Sequence, residues 1–216
     1  MQKTPFILFF LFAFLYFNAQ LSPDSIDIVR GKYGTPHIFA KTDKEVAYGL
    51  AWAHAEDDFK TIQETFLPSK YMMGRYKGKE GVQLDYISQL LKCEELVDRE
   101  IDNLSPEILR VVDGYVEGLN AFAKKFPNQV LVKKSFPMTR KEYLVGFNFI
   151  IHFFSDISKV LKDLYSNKIP LIQDSSLNNI GSNGFAFNKS KTKDNKTYIN
   201  INTHQPLEGP FSWYEA

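Results

Sequence analysis

Apolar and polar positions alternate from Ile26 to Arg30, the period of a half-buried strand, and a second short run follows from His37 to Ala40. Between them Tyr33-Gly34-Thr35-Pro36 supplies turn residues, so the chain should open with two short strands. The period then lengthens: Val46, Leu50, Ala53, Phe59, Ile62 and Phe66 recur near helical spacing up to Pro68. Thr42 with Glu45 forms the capping box that starts such a helix. Gly49 inside it costs about 1 kcal/mol relative to alanine, which predicts a close packing partner at that turn. Gly74, Gly78 and Gly81 read as punctuation of a basic loop.

Beyond that loop, Tyr86, Leu90, Leu91, Val97, Ile101 and Leu104 can line one broad helical face or two successive ones. Ser105-Pro106 is a favoured N-cap and first-turn pair, and Ile108, Val111, Val112, Tyr115, Val116, Leu119 and Phe122 carry the next apolar face. Thr139 and Glu142 repeat the capping box. From Tyr143 to about Leu161 the sequence is so rich in aromatics (Phe147, Phe149, Phe153, Phe154) that its helix should be buried on more than one side. Residues 162–181 turn polar and irregular and read as a linker. Gly184 to Asn188 and Tyr198 to Asn202 then look like two strands of a hairpin with a long polar turn.

The start of the chain differs from all of this. Lys3 precedes an unbroken apolar run from Pro5 to Phe17, followed by Asn18-Ala19-Gln20. The run is shorter than the roughly 18 residues of a spanning helix, so residues 1–19 are expected to be a secretory signal peptide rather than a membrane anchor, with a periplasmic or secreted product. Cys93 is the only cysteine, which excludes an internal disulfide, and reads as a buried small hydrophobe. With 44% hydrophobic and 15% aromatic residues the chain can build a core. Its 26 Lys plus Arg balance 25 Asp plus Glu, which gives no electrostatic reason to expect nucleic acid or an anionic membrane as partner. A small or neutral substrate is the better expectation.

Gly181-Ser182-Asn183 places a serine at a linker-to-strand junction, behind the residue type that leaves its own carbonyl most open to attack. Alone, such a tripeptide is an ordinary turn. In the setting of the whole chain it is more. Ile28-Val29-Arg30, Tyr33-Gly34-Thr35-Pro36-His37-Ile38, Tyr48-Gly49, Ala55-Glu56-Asp57, Gly114-Tyr115 and Gly118-Leu119-Asn120-Ala121 come in order before it. Asn202-Thr203-His204-Gln205-Pro206 and Trp213-Tyr214-Glu215 come after it. In this order the segments resemble the penicillin acylase family of N-terminal nucleophile hydrolases, nearer its acyl-homoserine-lactone and cephalosporin acylase branch.

The resemblance implies an α+β fold, a four-layer αββα sandwich, to which this stretch would contribute mostly outer helices, an opening strand pair and a central hairpin. Residues 20–161 would correspond to the α-chain, 162–181 to a spacer and 182–216 to the start of the β-chain. It implies autocleavage between Gly181 and Ser182, after which Ser182 is both nucleophile and new N-terminus. A free α-amine has a pKa of about 7.7 to 8.0, so it can take the hydroxyl proton; the amide nitrogen of an uncut chain cannot. The substrate would be a small acylated amide such as a penicillin, a cephalosporin or an acyl-homoserine lactone.

Other residues carry alternatives. His204 is either a support for the nucleophile or a strand-end histidine bonded to backbone. Gln205 stands where the acyl pocket often has phenylalanine, and Phe153 or Phe154 would line that pocket or simply fill core. His37 falls on a strand and reads as structural. His54, Glu56, Asp57 and Asp58 could be imagined as a metal cluster, but neighbours on a helix diverge, and a solvated or capping role is expected. Asp58 also replaces an arginine common in the family. No cofactor is assigned; a structural calcium ion is implied by the resemblance alone, without a carboxylate cluster to hold it. The oxyanion donors are expected beyond Ala216, so the remainder of the catalytic chain is the expected partner and the segment alone is expected to fold poorly and be inactive. The competing reading is a noncatalytic exported binding or assembly module that keeps only the front of the fold. A Ser-His-Asp hydrolase is weaker, because Ser182 lacks a Gly-x-Ser-x-Gly elbow.

Overall fold

The computed structural model describes residues 23–154, 182–203, 208–209 and 211–216, with Phe154 described for its backbone only. The opening strands β1 (Asp27–Arg30) and β2 (Pro36–Phe39) pair antiparallel, Ile28 opposite Ile38. Helix α1 (Asp43–Phe66) follows, its N-terminus held by the capping box: Thr42 Oγ1 accepts from the Glu45 amide and Glu45 accepts from the Thr42 amide at 3.0 Å. A kink at Asp58 (φ −151°, ψ 60°) divides α1, and the Asp58 carboxylate caps the second half by accepting from the Thr61 amide at 3.1 Å. The capping role expected of this segment is therefore where Asp58 works.

Gly49 has the close partner its cost implied. A Cβ there would lie 2.7 Å from Ile38 Cγ2 and 2.9 Å from Ile26 Cγ2, so the opening ribbon rests directly on α1. On another face of α1, Ala47, Ala51 and Ala55 are buried at successive helical turns. Opposite them α5 (Pro106–Lys125) brings Gly114 and Gly118. A Cβ at Gly114 would meet the Lys44 carbonyl oxygen at 2.0 Å, and one at Gly118 the Tyr48 carbonyl oxygen at 2.5 Å. Two helices thus touch backbone to backbone, and Phe59, Ile62, Leu119 and Phe122 close the core around the seam.

The glycine-punctuated loop is a correction to the sequence reading: it is helical. Helix α2 (Met73–Lys77) joins α3 (Lys79–Leu90) through Gly78 at φ +62°. The buried Asp85 carboxylate accepts from the Met73 amide at 3.0 Å and the Gly74 amide at 2.9 Å, so α3 caps α2. Of the two alternatives for the next stretch, two successive helices hold: α3 ends before Lys92 (φ +54°) and α4 (Cys93–Glu100) begins. Tyr86 and Leu90, expected on the apolar face, are exposed, whereas Ile87, Cys93 and Val97 are buried.

Helix α6 (Arg140–Ile151) starts at the Thr139–Glu142 capping box and ends in a 3₁₀ turn, His152–Phe154. Phe149 is buried, but Phe147 and Ile151 are exposed, so α6 presents one outward apolar face rather than burial all round. The expected remainder of that helix, the linker and the signal segment lie outside the described residues. Strands β3 (Asn183–Phe187) and β4 (Tyr198–Asn202) form an antiparallel hairpin with Phe185 opposite Asn200. Every residue of both strands is exposed. The described chain is helix-rich with two small two-stranded sheets.

Candidate functional site

Ser182 immediately precedes β3 and Thr203 immediately follows β4. Because Asn183 pairs with Asn202, the next position outward sets Ser182 beside Thr203, and Ser182 Oγ donates to the Thr203 carbonyl at 3.3 Å. The hairpin register therefore brings the candidate nucleophile to the segment that continues into His204 and Gln205. Those two residues and Gly181 lie outside the described residues. A carbonyl oxygen accepts the hydroxyl hydrogen but cannot remove it, so this contact orients Ser182 without activating it. Ser182 is exposed, which leaves its hydroxyl open to a reacting carbonyl.

Phe153 packs on the cluster of Ile87, Cys93, Val97, Val145 and Phe149, its ring edge-on to Phe149 at 5.1 Å. The contacts described for it are those of a core neighbour. Burial pushes the Cys93 thiol up to about 11, which makes it a poor nucleophile.

A second polar constellation gathers residues from both ends of the chain. Arg30 of β1 donates to Asp57 at 2.9 Å and to Glu56 at 3.1 Å, both on α1. The Tyr214 hydroxyl donates to the same Asp57 oxygen at 2.5 Å. The Tyr214 ring stacks on His54 at 4.4 Å, and His54 Nδ1 shares a hydrogen bond of 2.9 Å with the Tyr115 hydroxyl of α5. Burial lowers the His54 pKa against the pull of Asp58 and Asp57, so the imidazole is neutral at pH 7. Burial opposes ionisation of Asp57, but the Arg30 and Tyr214 hydrogen bonds prevail and hold its carboxyl below the ordinary range. Arg30 thus supplies these carboxylates with a cation.

Tyr214 was legible only as part of Trp213-Tyr214-Glu215, and Arg30 only as the end of Ile28-Val29-Arg30; neither pattern signals that the two share Asp57. The metal alternative for His54, Glu56, Asp57 and Asp58 is not supported: each has the partner just described, and among the described residues no three His, Cys, Asp or Glu side chains converge. A cleft of about 350 Å³ lies between the α6 N-terminus and the turn at Ser69–Met72. Its charged groups pair among themselves, Lys70 with Glu142 at 2.9 Å and Lys141 with Glu94 at 2.8 Å. Among the described residues no helix is long and apolar enough to cross a membrane.

The sequence profile of the penicillin amidase family matches residues 25–216, spanning the opening strands, the helices, Ser182 and the Tyr214 segment. The chain belongs to the penicillin amidase family. The penicillin G acylase of Escherichia coli is 28% identical over 130 residues, covering 58% of this chain and 15% of that enzyme. An acyl-homoserine lactone acylase of Pseudomonas fluorescens is 27% identical over 110 residues, 47% of this chain and 14% of that protein. The chain therefore matches only a small part of the length of either relative. A solved structure of a thermostable penicillin G acylase from Alcaligenes faecalis superposes with a TM-score of 0.49 at 19% identity, covering 66% of this chain and 85% of that one. Penicillin amidase family membership makes an amidohydrolase the class of enzyme to which the chain relates.

Proposed function

We propose that this chain forms the front of an exported acylase that hydrolyses the linear amide of an acylated small molecule, such as a penicillin, a cephalosporin or an acyl-homoserine lactone. The observation that carries the reading is Ser182 at the open end of the β3–β4 hairpin, exposed and bonded to Thr203, inside a family match that runs through it. Cleavage before Ser182 frees its α-amine. That amine takes the proton as Ser182 Oγ attacks the substrate carbonyl, then returns a proton to the departing amine. Water attacks the resulting ester, and the carboxylic acid leaves with Ser182 restored. His204 supports the nucleophile, and Phe153, Phe154 and Gln205 border the acyl group.

The exposed hairpin supports the sandwich expected of the family. Among the described residues each of its strands pairs along one edge with the other, and its faces carry Phe185, Phe187, Ile199 and Ile201, all exposed, a surface that further strands and helices would cover. Residues 1–19 direct export to the periplasm or the medium, residues 20–161 act as the α-chain and residues 162–181 as the spacer. The test is turnover by the complete gene product of N-acylated amines, read as release of a primary amine with an amine-reactive dye. Release abolished by Ser182→Ala supports the reading; undiminished release in that variant overturns it.

A further inference from the structure

The constellation around Tyr214 joins residues on opposite sides of the Gly181–Ser182 bond, and this gives it a task that an uncut chain would not need. Once the bond is broken, everything from Ser182 onward is held to the helical body by noncovalent contacts alone. The hairpin strands are exposed throughout and contribute little of that hold among the described residues. The segment that follows them is different. Phe211 is buried, and Tyr214 seats on α1 at Asp57 and His54, which bond in turn to Arg30 of β1 and Tyr115 of α5. Its hydroxyl donates to Asp57, already fixed by Arg30, and its ring covers His54, already fixed by Tyr115. The socket is thus made of upstream residues alone.

We propose that Tyr214, seated against His54 and Asp57, is a positioning residue that keeps the Ser182-bearing piece docked on the helical body after the chain is cut; this rests on the cleavage assigned to Ser182. The partner of the His54–Asp57 surface is this chain's own segment 211–216. The phenol and Asp57 form a hydrogen bond to a charged acceptor, which is stronger than a neutral pair, and the ring adds stacking on a neutral imidazole. In the uncut chain the tether keeps Tyr214 near its socket whether or not the contact forms; in the cut chain the contact governs dissociation.

The experiment uses the complete gene product with a site-specific protease sequence inserted in the 162–181 spacer, so that the cut does not depend on Ser182. Cut and uncut proteins are compared by size-exclusion chromatography across a urea series. Tyr214→Phe keeps the ring and removes the donor; after the cut it should weaken association of the two pieces about tenfold, and Tyr214→Ala by about a hundredfold. Before the cut, Tyr214→Phe should elute as a single species of the parent's size below its unfolding transition, because the intact backbone holds the two parts together. Tyr214→Phe combined with Asp57→Asn should weaken association by less than the product of the two single effects, because the first removes and the second weakens the same bond. Association of the cut pieces unchanged by Tyr214→Phe, or independent effects in the double variant, would overturn the clasp while leaving the nucleophile reading intact. A gene product that never cuts itself before residue 182 would instead overturn that reading and the clasp's purpose with it.

Discussion

Gly114→Ala should destabilise the protein by about 2 kcal/mol even though alanine is the better helix former. The methyl group would stand 2.0 Å from the Lys44 carbonyl oxygen and 2.9 Å from the Lys44 carbonyl carbon. Comfortable contact needs roughly 3.5 Å, so α1 and α5 would have to part by about 1.5 Å at a point where both obstacles are backbone. Overpacking of this kind costs about 1 to 3 kcal/mol, and a rigid neighbour places the cost at the upper end. The gain in helix propensity, about 1 kcal/mol, offsets part of it. With a urea dependence of about 2 kcal/mol per molar, the midpoint of the complete protein should fall by about 1 M. The seam also fixes His54 against Tyr115, so the loss should extend to docking of Tyr214. An alanine variant as stable as the parent, or more so, would show that the helices do not meet backbone to backbone.

Three further outcomes follow from particular contacts. Asn120 donates to the Met138 carbonyl at 2.8 Å and accepts from the Met138 amide at 2.6 Å, so Asn120→Ala should cost about 2 to 4 kcal/mol by leaving both groups unpaired, read from the urea midpoint. Cys93 should resist a disulfide reagent at pH 8 in the folded protein and react on adding denaturant, because the thiol is buried and its pKa raised to about 11. Acid should loosen the Tyr214 socket. The folded His54 pKa lies below its ordinary 6.5, so the unfolded state binds more protons there; this contribution is complete above 6.5 and fades as pH falls below it. Asp57, held below its ordinary 3.8, behaves alike at lower pH: its contribution is present above 3.8 and lost as pH drops through the folded value. The groups around the pair are Arg30, Glu56, Asp58, Tyr115 and Tyr214. An imidazole titration followed by NMR should give a His54 midpoint below 6.5, and a midpoint above it would contradict this.

Local chemistry made much of the fold readable from sequence. The Thr42–Glu45 and Thr139–Glu142 boxes and the Ser105-Pro106 pair each mark a helix start by satisfying backbone groups within three or four residues. The cost of Gly49 pointed correctly to a close neighbour, though not to Ile26 and Ile38 as that neighbour. The glycine run at residues 74–81 misled because Asp85 supplies the α2 cap from a later helix, a tertiary cause that no local pattern announces. Tyr86 and Leu90 misled similarly, since α3 rotates to bury Ile87 and Ser88 instead. At the site, Ser182 and its place before a strand were legible, but the strand was read as Gly184 to Asn188, one residue late, so the register that sets Ser182 beside Thr203 was not. The meeting of Arg30, His54, Asp57 and Tyr214 was not, because it joins residues 157 positions apart and depends on how β1, α1 and the final segment converge.

Mass spectrometry of the complete gene product, with sequencing of the new N-terminus, tests the central claim most directly. The account predicts a fragment beginning at Ser182 with a free amine, absent in Ser182→Ala. A fully active enzyme in which residue 182 remains inside an intact polypeptide would contradict it.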